Sequence, residues 1–394
     1  MSGPDPNEGG ASRPSPSRLS PSRLSLRDRW RRLRTRLLSD PVFQARAIAN
    51  PLTRPFALRG TRRSFDLVSG FVYSQTLSAV VALGLLDDLR AGPQPLSKIA
   101  NDAKLTVARA ERLMKAAAAL GIMERCDDGR WGLGGDGAAL AGNPGALAMI
   151  AHHHHLYRDL SDPVALLRDE VPETALANFW RYAHEADGSA IARADAEAYS
   201  QLMATSQMLL ADEVLTAYPM ARHRHILDVG GGDGSFISAV AAHQREANLT
   251  LFDLPGVAEI ASQRMAERGL EGRVQVVGGD FTADPLPVGP DLITLIRILH
   301  DHDDDKALVL LKACRAALAD GGALLIAEPM SGTPGGARIA DAYFGFYLLA
   351  MGSGRARSIE EISDLLDQAG LRIVTPVTTR NPLMARVLVA RVRA

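Results

Sequence analysis

His225-Ile226-Leu227-Asp228-Val229-Gly230-Gly231-Gly232-Asp233-Gly234 is the stretch that decides how this chain folds. Five residues with the pattern of a buried strand run straight into a glycine turn, and Ser235 to Ala242 then reads as a helix. Strand, glycine turn and helix together let a ligand approach backbone N–H groups closely. The glycines fall at Gly230, Gly232 and Gly234, as G-x-G-x-G. A dinucleotide fingerprint wants G-x-G-x-x-G/A, and Ser235 occupies its last position. No Lys-Ser/Thr pair follows the loop, which excludes a phosphate-gripping P-loop.

Downstream, the strand Leu249–Phe252 ends in Asp253, 25 residues after Asp228. An acid at the end of a second strand can accept hydrogen bonds from both ribose hydroxyls of an adenosine cofactor. A third strand, Val274–Val277, is followed by Gly279-Asp280-Phe281, where Asp280 would receive an adenine amino group while Phe281 packs on the ring. Strand Leu292–Ile296 leads into Arg297-Ile298-Leu299-His300-Asp301, and Ala323–Ala327 ends at Glu328. From about residue 222, apolar strands alternate with helices, which predicts a doubly wound, Rossmann-like α/β domain over 216–394.

Upstream, residues 39–215 read as a mostly helical domain. A helix at Ser97–Asp102, a turn at Lys104–Thr106, a helix at Val107–Leu120 and strands Ile122–Arg125 and Arg130–Leu133 around Asp127-Asp128-Gly129 make a winged-helix layout. Its second helix dilutes Arg109, Arg112 and Lys115 with Ala116–Ala119, too weak a basic footprint for phosphates, so no nucleic acid is expected. His152–His155 are four consecutive imidazoles. Metal ligands on a helix need i, i+3 or i+4 spacing, so a structural or pocket-lining role is favoured over a metal. Residues 156–215 read as connecting helices.

Of 394 residues, 46% are apolar and 23% charged, as in ordinary globular proteins. No apolar run reaches the roughly 18 to 20 residues of a membrane-spanning helix, and no secretory signal is read. Cys126 and Cys314 lie too far apart in sequence to point to a disulfide framework, which fits a reducing cytoplasm. The net charge of −1 hides an asymmetry: residues 1–60 hold 12 Arg and no Lys against 4 acids, a balance of +8, which leaves −9 for the rest. Residues 1–25 are expected to be disordered. Residues 1–38 thus form a basic tail in which Leu26, Trp30, Leu33, Leu37 and Leu38 recur at helical spacing among arginines. Such a helix can lie on an anionic membrane or pack on a partner subunit, and the Arg- and Ser-rich start also resembles a transit peptide.

Asp228-Val229-Gly-Gly-Gly-Asp-Gly234, Phe252-Asp253-Leu254-Pro255, Gly279-Asp280-Phe281 and Ile298-Leu299-His300-Asp301 resemble the class I O-methyltransferases of the plant phenolic and hydroxyindole group. The likeness spans roughly residues 65–390. It implies S-adenosylmethionine at the strand ends, with Leu254 and Arg297 added to its contacts. It also implies His300 as general base, Glu328 as the acid that orients it, no metal, and a homodimer whose N-terminal domain caps the substrate pocket. The acids of His300–Asp305 can instead cap a helix at Lys306–Leu318. Two positions depart from the family: Ala356, in Gly354-Arg355-Ala356-Arg357-Ser358, stands where a second acid is expected, and His302 where a tryptophan is usual.

The resemblance also makes Ala340–Gly352, with Tyr343, Phe344, Tyr347 and Met351, the lining of a hydrophobic acceptor pocket. The alternative reading of that segment is ordinary core helix. Residues 50–75, the arginine-rich start and Gly352–Ser358 are similar to the hydroxyneurosporene or demethylspheroidene O-methyltransferases of carotenoid synthesis. That likeness implies the tertiary 1-hydroxyl of an acyclic carotenoid as acceptor, and a photosynthetic or inner membrane for the basic arm to touch. A phenolic or polyketide hydroxyl is the alternative acceptor. A winged-helix regulator that senses S-adenosylmethionine is the alternative class, against which His300 and Glu328 stand.

Overall fold

The computed structural model describes residues 25–184 and 210–393; the expected disordered start and part of the connecting region lie outside them. The chain divides into two compact units, Met1–Ser74 and Gln75–Ala394.

In the first unit the helix Leu26–Leu38 starts at Ser25, whose hydroxyl accepts from Asp28 N at 3.1 Å. A second helix, Pro41–Ala49, starts under an Asp40 cap with proline in its first turn. Neither helix buries a residue. The long helix Arg54–Ala82 begins in this unit and corrects one expectation. An 18-residue window within it has a mean hydropathy of 1.2 and is only 6% buried, so by length and composition it can cross a membrane. A search for unbroken apolar runs misses it because Ser69, Gly70, Ser74 and Gln75 interrupt the sequence.

The second unit begins with the helix-rich portion. Helices Leu96–Asp102 and Val107–Ala119 precede an antiparallel hairpin of β1 (Met123–Arg125) and β2 (Trp131–Leu133). The expected winged-helix order is present, with no end shifted by more than one residue. Its core gathers Val80, Leu86, Ile99, Met114 and Trp131. A helix at Pro144–Asp159 carries the four histidines.

The rest of the unit is one seven-stranded sheet. Its strands are β3 (His225–Val229), β4 (Asn248–Asp253), β5 (Val274–Gly278), β6 (Leu292–Ile296), β7 (Ala323–Glu328), β8 (Leu371–Val377) and β9 (Arg386–Val392). They lie in the order β5-β4-β3-β6-β7-β9-β8, with β9 antiparallel to both β7 and β8. The central strands are almost wholly buried because helices cover both faces, so they read as apolar runs without alternation. Ile226 and Leu251 face one core, and Leu227, Ile293 and Leu295 face the other. Fully burying one such side chain stabilises by roughly 1.5–3 kcal/mol, which makes the sheet the rigid support for its loops. Strand order reverses between β3 and β6, and ligands of open α/β sheets bind at that switch point, beyond the carboxyl ends of the strands.

Candidate active site

The loops after β3, β4, β5 and β6 meet at one cavity of about 1010 Å³. Among the described residues its wall includes Gly230, Gly232, Asp253, Leu254, Asp280, Phe281 and Arg297 from the predicted set. The glycine turn needs its glycines. Gly230 has φ +71, and a Cβ there would lie 2.5 Å from Ile298 Cδ1; Gly234 has φ +78, and a Cβ would lie 2.4 Å from Met265 Cε. Gly232, at φ +58, faces open space instead. Its N–H donates to Asp253 Oδ2 at 2.8 Å, and Asp253 Oδ1 accepts from Leu254 N at 2.7 Å. The second-strand acid is therefore already fixed against the loop. Asp280 Oδ1 accepts from Thr282 N and Oγ1, and these bonds hold its carboxyl below the usual carboxylate range. Phe281 meets His302 edge to face at 5.2 Å, so the histidine in the usual tryptophan position still presents a ring to this wall.

Asp228 is not on the wall. It is 1% exposed at the end of β3, and Thr294 Oγ1 donates to its Oδ1 at 2.6 Å. Burial raises its carboxyl to about 7, and its Oδ2 has no partner in the protein. An unpartnered carboxyl oxygen beneath a glycine turn open to ligand suits a cationic group above it, such as the amino end of an amino-acid-bearing nucleoside.

His300 and Glu328 come together at the ends of β6 and β7, but not as expected. The backbone N–H of His300 donates to Glu328 Oε2 at 3.1 Å, so the acid supports the peptide and makes no bond to the ring. Glu328 is fully buried, which raises its carboxyl to about 8. The ring of His300 is 3% exposed and lies just behind the cavity wall formed by Arg297, Ile298 and Asp301. Burial first, and the Arg297 charge second, lower its imidazole to about 3, which keeps the ring neutral. Its Nε2 stands 3.3 Å from Asp301 Oδ1, while Nδ1 has no partner. Asp301 is thus the carboxylate beside the ring, while Ala356 offers no acid. A third of its side chain remains open to solvent, yet desolvation still raises it to about 7. Arg297, just upstream, holds φ +60, a left-handed conformation that a non-glycine residue adopts only under strong local constraint.

The aromatic segment needs a correction. Residues Arg338–Phe344 form a π-helix that continues into the α-helix Gly345–Met351. Met351 lines the cavity with Leu348 and Leu349, but Tyr343, Phe344 and Tyr347 do not. Phe344 and Tyr347 are buried, and the two tyrosine hydroxyls find partners away from the cavity. Tyr347 Oη bonds His152 Nε2 at 2.9 Å and Trp180 Nε1 at 3.3 Å, and Tyr343 Oη bonds His153 Nε2 at 2.8 Å. Burial lowers His152 to about 3, so it bonds as a neutral ring. These histidines are structural partners of the tyrosines, a pairing no local spacing reveals. Among the described residues, no three or more His, Cys, Asp or Glu side chains are grouped to hold a metal. Thr294 was legible in principle, as the one polar residue in the strand Leu-Ile-Thr-Leu-Ile.

Residues 157–372 match the O-methyltransferase domain, and residues 65–137 match the O-methyltransferase dimerisation domain, which supports a homodimer. The exposed Phe65, Leu67, Val68 and Phe71 of the long helix fall inside that dimerisation segment. The chain is 42% identical to demethylspheroidene O-methyltransferase of Cereibacter sphaeroides, over 91% of this chain and 94% of that one. It is 41% identical to the enzyme of the same name from Rhodobacter capsulatus, over 89% and 86%. Among solved structures, an O-methyltransferase of neocarzinostatin biosynthesis, in complex with S-adenosylmethionine and 2-hydroxy-5-methyl naphthoic acid, superposes with a TM-score of 0.63. That match is 26% identical and covers 81% of this chain and 96% of the other. By its matched domains, its relatives and its fold, this chain belongs to the O-methyltransferase family and is a methyltransferase enzyme.

Proposed function

We propose that the enzyme transfers the methyl group of S-adenosylmethionine to the tertiary 1-hydroxyl of an acyclic carotenoid. The observation that carries this reading is the mixed wall of the cavity of about 1010 Å³. Gly230, Gly232, Asp253 and Asp280 supply a polar end, while Leu166, Leu167, Trp180, Leu348, Leu349 and Met351 supply an apolar one. A polar nucleoside and a long hydrocarbon would need such a division. Two relatives above 40% identity carry the demethylspheroidene name, which supports the same acceptor.

In this reading Asp253 and Asp280 receive the nucleoside, with Leu254 and Phe281 against its rings, and the Asp228 carboxyl lies beneath the glycine turn. The bound S-adenosylmethionine supplies an electrophilic methyl group. The protein's task is then to bring the acceptor oxygen into line, exclude water and take one proton. A tertiary alcohol is a far weaker acid than a phenol, so a positioned base matters more here. His300 is that base: its ring is neutral, desolvated and has a free nitrogen. Glu328 fixes its backbone, and Asp301 beside Nε2 offsets the imidazolium charge as it forms. The basic arm would hold the enzyme at the cytoplasmic face of the membrane that dissolves the acceptor.

A phenolic or polyketide hydroxyl is the second reading. It is supported by naphthoate O-methyltransferases that are 29% identical to this chain. Incubation with methyl-labelled S-adenosylmethionine and a panel of hydroxylated acyclic carotenoids in detergent, phenols and naphthoates separates the two. Label confined to the aromatic acceptors would remove the carotenoid assignment.

A further inference from the structure

The carbonyls of four consecutive residues at the base are each held by the segment that follows helix Gly345–Met351. Arg357 Nη1 donates to Leu299 O at 2.8 Å, and Arg355 N donates to His300 O at 2.9 Å. Ser353 Oγ donates to Asp301 O at 2.9 Å, and Arg357 Nη2 donates to His302 O at 2.7 Å. The two backbones touch at Gly354. A Cβ there would lie 2.2 Å from His300 O and 2.5 Å from the carbonyl carbon of Asp301, and its φ is +82. Arg357 itself is fully buried, and its Nε donates to Asp304 Oδ1 at 2.9 Å. Its own carbonyl accepts from Ser331 N at 2.9 Å, which ties in the exit of β7 that carries Glu328.

The base segment needs this support. Leu299–Asp301 is a single 3-10 turn, held internally by bonds of 3.2 and 3.4 Å, and it follows the left-handed Arg297. A buried ion pair alone would not require a guanidinium here, since Asp304 is half exposed. The planar fork of arginine fits two carbonyls on either side of the pair His300-Asp301 in a way that a point charge does not.

We propose that Arg357 is a positioning residue for methyl transfer: its fork grips the carbonyls of Leu299 and His302, which bracket His300 and Asp301, and fixes where the imidazole stands behind the cavity wall. The clamp continues directly from the helix whose Leu348, Leu349 and Met351 line the cavity, so acceptor wall and base share one support. The proposal rests on His300 serving as the base.

The test compares Arg357→Lys, Ser353→Ala and His300→Ala with wild type, using the acceptor that takes label in the panel. Circular dichroism checks folding, and calorimetry measures the Kd for S-adenosylmethionine. With Arg357→Lys, kcat should fall by about 10- to 100-fold, while KM and that Kd stay within about twofold. The acid limb of its kcat–pH profile should move to higher pH. Arg297, Arg357, His302, Asp301 and Glu328 surround the imidazole, and loosening one cation from this set eases its protonation. If Arg357→Lys fails to fold, Ser353→Ala decides, with a kcat about threefold lower expected from the loss of one clamp bond. A folded Arg357→Lys enzyme with wild-type kcat beside an inactive His300→Ala enzyme would overturn the positioning role alone. Wild-type kcat in His300→Ala would overturn the base assignment, and the proposal with it.

Discussion

Glu328 Oε2 accepts the backbone N–H of His300 at 3.1 Å, across the carboxyl ends of the paired parallel strands β6 and β7. The bond places a fully buried carboxyl under the residue we assign as base, and burial raises that carboxyl from 4.5 to about 8. A folded value above the unfolded one stabilises the fold in full below pH 4.5. That contribution is lost as pH rises from about 4.5 through about 8. Glu328→Gln keeps the acceptor and removes the ionisation, so its thermal midpoint should gain on wild type between pH 5 and pH 8. Glu328→Ala strands the His300 N–H and should cost about 1–3 kcal/mol at either pH. Melts of the three proteins at both pH values check this, and a constant gap between Gln variant and wild type would contradict it.

Asp253 is held by two N–H groups, Gly232 N and Leu254 N, and lines the cavity. Asp253→Ala should raise the Kd for S-adenosylmethionine by about 10- to 100-fold, the worth of one or two hydrogen bonds to a charged group. Titration calorimetry reads the change directly. An unaltered Kd would remove Asp253 from the cofactor site.

Tyr347 is expected to matter for stability and not for cofactor affinity. Tyr347→Phe leaves His152 Nε2 and Trp180 Nε1 without their shared hydroxyl and should cost about 1–3 kcal/mol in denaturant unfolding. The Kd for S-adenosylmethionine should not move.

The sheet was legible because its central strands are mostly apolar runs that carry a distinctive acid at or next to their carboxyl ends: Asp228 in the strand before the glycine turn, Asp253, and Glu328. The loop residues that line the cavity, Gly230, Gly232, Asp253, Asp280 and Phe281, were legible for the same reason, since they follow strands at fixed offsets. The helical side of the wall was not. Tyr343 and Tyr347 read as pocket lining, but buried hydroxyls need partners, and His152 and His153, some 190 residues upstream, supply them. Nor did any local pattern show that Glu328 bonds the His300 peptide, or that Arg357 spans 58 residues to reach Leu299 O. Such contacts are set by which loops the sheet order brings together, not by spacing along the chain.

The arm Leu26–Leu38 exposes Leu26, Trp30 and Leu33 along one stripe, with arginines on both sides of it and no buried residue. Arginines flanking an apolar stripe suit an anionic surface, at roughly 1 kcal/mol each. The protein should co-sediment with phosphatidylglycerol vesicles and not with phosphatidylcholine vesicles. Replacing Arg31, Arg32, Arg34 and Arg36 by Gln should weaken that binding by at least about a hundredfold at low salt. Equal binding to both vesicle types would contradict a charge-driven contact.

The most direct test of the central claim is a single turnover with trideuteromethyl-labelled S-adenosylmethionine and a 1-hydroxy acyclic carotenoid in detergent, followed by mass spectrometry. The wild-type enzyme should yield the trideuteromethyl ether at the tertiary oxygen, and His300→Ala should yield none while still binding the methyl donor. No ether from the wild-type enzyme, under conditions where it methylates a phenol or naphthoate, would contradict the account.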